Sequence, residues 1–168
     1  TGSTLFFEHI KAIDALCQKH SIEPENVHYI CGRGTIGRSS ERDLAKALET
    51  YANKLGKDTY KIIVAKSFGV VDTLRAFNML GLDAEKKIGR INLMYCIDGT
   101  AAFFSRRSVS KRLRISGKRE SRLMIPSFVD NVYNVVQRGD GYKGLKAGKE
   151  GDTRIKNFVV KQPYIDSF

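Results

Sequence analysis

Tyr60-Lys61-Ile62-Ile63-Val64-Ala65-Lys66-Ser67-Phe68-Gly69-Val70-Val71-Asp72-Thr73-Leu74-Arg75-Ala76-Phe77 is the stretch on which the fold turns. Its first part, Tyr60–Ala65, is a β-branched run with the length of a buried strand. Val70–Leu80 then places Val70, Val71, Leu74 and Phe77 on one face of a helix, which Gly81 ends. Only Lys66-Ser67-Phe68-Gly69 remains to connect the two. A buried strand that passes so abruptly into an amphipathic helix is the opening of a β-α-β unit.

The flanks extend the same alternation. Upstream, Phe6, Ile10, Ile13 and Cys17 have helical spacing, so segment 4–20 reads as an amphipathic helix. Residues 21–26 form a turn around Pro24, and Val27–Cys31 reads as a short strand. A glycine-rich loop, Gly32-Arg33-Gly34-Thr35-Ile36-Gly37, follows. Ser39 or Ser40 can cap the next helix, with Glu41 and Asp43 at its positive end. That helix shows Leu44, Leu48, Tyr51 and Leu55 on one face and stops at Gly56. Downstream, Ile91–Ile97 is a third strand closing on Asp98-Gly99, and Val129–Val136 is a fourth. Residues 105–124 are basic and irregular. The remainder is rich in Gly and Lys, with periodicity only at Phe158-Val159-Val160. Strands alternating with helices predict an α/β fold: a three-layer sandwich with a mainly parallel sheet and helices on both faces. A single domain over 1–168 is expected, with 105–124 as a basic insert.

Composition agrees with a globular chain. Of 168 residues, 42% are hydrophobic and 28% charged, which excludes a disordered chain. No apolar run is long enough for a transmembrane helix, and no signal peptide is visible; Thr rather than Met at position 1 implies that something has been removed. Cys17, Cys31 and Cys96 have no metal-site or disulfide spacing, which leans towards a cytoplasmic setting. No metal or cofactor is expected. The net charge of +11 is uneven: residues 105–168 hold 15 Lys and Arg against 6 Asp and Glu. Such asymmetry points to an acidic partner for that part of the chain.

Ala65-Lys66-Ser67-Phe68-Gly69 carries the most specific signal. A serine on a tight strand-to-helix turn needs small residues two before and two after it, and Ala65 and Gly69 are small. Here the chain resembles the α/β-hydrolase superfamily, especially its compact lipase, esterase and cutinase-like members. The resemblance spans most of the chain. Ile62-Ile63-Val64 and Val70–Ala76 look like the family's strand and helix, although the family usually has Gly where this chain has Ala65. Val132–Asp140 looks like the strand that is followed by the catalytic acid. The resemblance implies an ester substrate and an acyl-enzyme route with Ser67 as nucleophile. The Phe68 amide, with Gly2 from Thr1-Gly2-Ser3-Thr4, would form the oxyanion hole. Asp140 or Asp98 would be the acid, the resemblance favouring Asp140 for its position after the fourth strand. The competing role for Ser67 is that of a helix N-cap, and for Asp140 that of a turn residue.

The family's order is serine, acid, histidine. His9, His20 and His28 all precede Ser67, and Gln162-Pro163 stands where the family's histidine would fall. The expectation is therefore a hydrolase fold incomplete at both ends, or one that has lost its base and serves as a binding module. Arg106, Arg107, Lys111, Arg112, Arg114, Lys118, Arg119 and Arg122 crowd into 17 positions with one acid, Glu120. As a solvated loop they would do nothing; as a docking surface they suit nucleic acid, an acidic membrane surface or an acidic protein. In a hydrolase this insert occupies the position of a lid over Ser67, suiting an anionic substrate. Gly32-x-Gly34-x-x-Gly37 also matches the dinucleotide-binding spacing. However, its helix starts late, and the next strand ends in Ala65-Lys66 rather than an acid.

Overall fold

The computed structural model describes residues 2–23, 26, 27, 29, 40–66, 68–97, 122–139, 142, 143, 146–149 and 152–161. Contacts divide the chain into two compact units, Thr1–Cys31 with Ile165–Phe168, and Gly32–Tyr164.

The first unit contains helix α1, Gly2–Lys19. Ile10, Ile13 and Cys17 are half-buried, while Lys11, Asp14 and Gln18 are exposed, as the helical spacing requires. The helix ends in a Schellman arrangement. The Ser21 amide donates to the Gln18 carbonyl and the Ile22 amide to that of Cys17, with Ser21 at φ 53°. Val27 and Tyr29 do not belong to a strand, and the rest of 27–31 lies outside the described residues. The Tyr29 hydroxyl instead donates to Asp14 of α1. Burial first, then that carboxylate, pushes the phenol up to about 12.

The second unit begins with α2, Ser40–Leu55, with Glu41 and Asp43 in its first turn and Lys54 in its last. Both placements suit the helix dipole. Its deepest residues are Ala45 and Ala52, with Leu44 and Leu48 packed beside them and Leu55 exposed. Small residues on that stripe let α2 lie close against its neighbour. Gly56, at φ 90°, ends the helix.

Strand β1, Ile62–Lys66, runs into α3, Phe68–Leu80. Val70, Val71, Thr73, Leu74, Ala76, Phe77 and Leu80 are all buried, because α3 lies between the sheet and α2. A short helix α4, Ala84–Ile88, follows. Its C-terminal Gly89, at φ 71°, sits where a Cβ would collide with the Lys57 backbone.

Strands β2 (Ile91–Ile97), β4 (Val129–Gly139) and β7 (Arg154–Lys161) complete a parallel sheet in the order β1-β2-β4-β7. Strand β3 (Arg122–Ile125) pairs in parallel with β6 (Lys146–Lys149) in a separate two-stranded sheet. The short β5 (Tyr142–Lys143) pairs antiparallel with the end of β4. α/β character with a mainly parallel sheet is therefore the observed architecture. Each parallel step moves in one direction, and right-handed crossovers in one direction fall on one face. Residues of α3, β3 and β6 share the core with that face: Val70, Leu74 and Phe77 lie in one cluster with Leu123, Ile125, Ala147, Met94 and Val132. Phe77 meets Phe128 edge to face at 5.1 Å.

Polar pairs pin the edges. Asn157 of β7 accepts from the Ala147 amide and donates to the Ala147 carbonyl, and its Oδ1 also accepts from the Asn134 side-chain amide of β4 at 2.8 Å. Asn157 thus supplies the small sheet with a substitute for a strand's own peptide group. At the amino end, Arg90 bonds Glu85, Asp130 and the Ser127 carbonyl, tying α4 to the β3–β4 turn.

Candidate functional site

In register, Lys66 of β1 pairs with Ile97 of β2, and Ile97 with Val135 of β4. These three residues form one row near the carboxyl edge of the parallel sheet, the edge where open α/β sheets place their ligands. Ser67 stands in the chain between Lys66 and Phe68, so β1 passes to α3 over a single residue. The Phe68 amide belongs to the first turn of α3, whose N–H groups have no partner within the helix. Such donors, with the helix dipole behind them, favour negative charge.

The residues on either side of this turn differ. Ala65 is buried and pairs with buried Cys96, so bulk there would press into the core. At Gly69 an added Cβ would meet nothing within 4 Å, so space does not demand glycine at that position. The Gly69 carbonyl accepts from the Thr73 hydroxyl at 2.6 Å, a bond internal to α3.

Ile97, which Asp98 follows in the chain, lies in the same row as Lys66 and one strand away, which is about 4.8 Å in a sheet. Asp140 follows Gly139, four residues past the Val135 position of that row, or roughly 13 Å further along the strand. β2 thus ends in the row of Lys66, whereas β4 continues four residues beyond it. Ser67, Asp98 and Asp140 themselves lie outside the described residues. So do Arg106, Arg107, Lys111, Arg112, Arg114, Lys118 and Arg119; Arg122 opens β3. Gly2 is the first residue of α1, in the first unit. His9 lies in α1, His20 is exposed just after it, and His28 is outside the described residues.

The opposite face of the sheet carries an aromatic row that the strand-by-strand pattern does not single out. Tyr95 stacks on Tyr133 with ring centroids 5.2 Å apart, and Tyr133 on Phe158 at 6.1 Å. The Lys156 ammonium lies 5.7 Å from the Tyr133 ring centre. The signal was present in the alternation Leu93-x-Tyr95-x-Ile97 and Asn131-x-Tyr133-x-Val135. A depression of about 260 Å³ is lined by Asp43, Lys46, Ala47, Thr50 and Tyr51, all from α2, and gathers none of the candidate site residues. Among the described residues no group of three or more His, Cys, Asp or Glu side chains could hold a metal ion. Cys96 is fully buried, which pushes its thiol up to about 12 and removes it as a nucleophile. Among the described residues no helix is long and apolar enough to cross a membrane. Compared with protein-family models, curated proteins and solved structures, the chain matches none.

Proposed function

We propose that this chain is a serine hydrolase of a carboxylic ester, built on an α/β-hydrolase-like fold, with Ser67 as nucleophile. One observation carries the reading: β1 passes into α3 across Ser67 alone, near the carboxyl edge of a parallel sheet. That connection is what a nucleophile elbow requires. In the proposed reaction the Ser67 hydroxyl attacks the ester carbonyl and gives its proton to a base. The alcohol leaves with a proton, and water then releases the acid from the acyl-enzyme. The Phe68 amide, at the amino end of α3, receives the oxyanion. Asp98 is the acid better supported by the strand register, and Asp140 is the alternative.

The test is labelling of the full chain by a fluorophosphonate probe beside Ser67→Ala. Labelling of the parent and none of the variant is the expected result, and identifies an activated serine with a base to serve it. A folded parent that takes no label overturns the proposal.

A second reading is favoured by one fact of the sequence: all three histidines precede Ser67. On this reading the fold is a non-catalytic module that docks an anionic partner (nucleic acid, acidic lipid or acidic protein) through the basic segment 105–122. Its binding falls steeply as salt rises from 50 to 500 mM; binding indifferent to salt excludes it.

A further inference from the structure

We draw no further inference here: the strongest candidate, the outward face of the parallel sheet with its stacked Tyr95, Tyr133 and Phe158 rings, carries nothing because nothing in the structure shows what covers it.

Discussion

The two faces of the parallel sheet are built from the same strands, and yet they differ. On one face Met94, Cys96, Val132, Asn134 and Val136 are at most 1% exposed. On the other, Ile62 is 51% exposed, Val64 52% and Phe158 47%. The alternation of side chains across a pleat makes both faces available to every strand. What separates them is where the connections go. α3, β3 and β6 all contribute to the core on the first face. The second face carries apolar and aromatic side chains too, so hydrophobicity alone does not say which face is covered. A parallel sheet ordinarily reads as hydrophobic on both sides because helices cover both of its faces.

The largest test of the difference is made in the helix that seals the inner face. Phe77→Ala removes a ring that is 2% exposed and packed edge to face on Phe128. It is expected to cost about 3–5 kcal/mol, read as a lower urea midpoint at unchanged slope. A loss below about 1 kcal/mol would mean that α3 does not seal this face.

Gly89 tests the closure of α4 against the loop before β1. Its positive φ and the Lys57 backbone both oppose a side chain. Gly89→Ala should cost about 2–3 kcal/mol. Gly81→Ala, with a similar φ but open space around it, should cost only about 1 kcal/mol. Thermal melts of the pair check the order, and equal costs would remove the close approach as the cause.

Asn157→Ala takes away both bonds to Ala147 and the acceptor of Asn134. About 1–2 kcal/mol is expected, with faster amide exchange at Ala147. Unchanged exchange there would show that the side chain does not hold β6.

The smallest effect belongs to the outward face. Val64→Thr should change stability by less than about 0.5 kcal/mol. Val132→Thr, on the inner face of β4, should cost about 1–3 kcal/mol. Should Val64→Thr cost as much, the outward face is covered in solution, and the contrast between the faces disappears.

Some elements were legible and some were not, for physical reasons. Ile91–Ile97 is the strand expected, because a continuous apolar run between turn signals has few other uses. Ser40–Leu55 is the helix expected, though Ala45 and Ala52 rather than Leu55 go deepest. α4 has five residues, too few to display a period. β7 showed only Phe158-Val159-Val160, because an edge strand exposed along most of its length has little pattern to give. Val27–Cys31 had the composition of a strand, but Tyr29 turns to Asp14 within the first unit. At the candidate site, the serine between strand and helix could be read directly. How far β4 outruns β2 beyond the row of Lys66 could not, since it depends on pairing between distant strands.

By itself, then, the sequence determined the local alternation of strands and helices, the abrupt passage from β1 to α3, and the asymmetry of charge. These follow from side-chain period, turn chemistry and counting, each confined to neighbours in the chain. The strand order β1-β2-β4-β7, the face on which the crossovers gather, and the row shared by Lys66, Ile97 and Val135 were decided by tertiary structure alone. Register and order arise from pairing between segments that are distant in sequence, and no local pattern encodes which partner a strand will find.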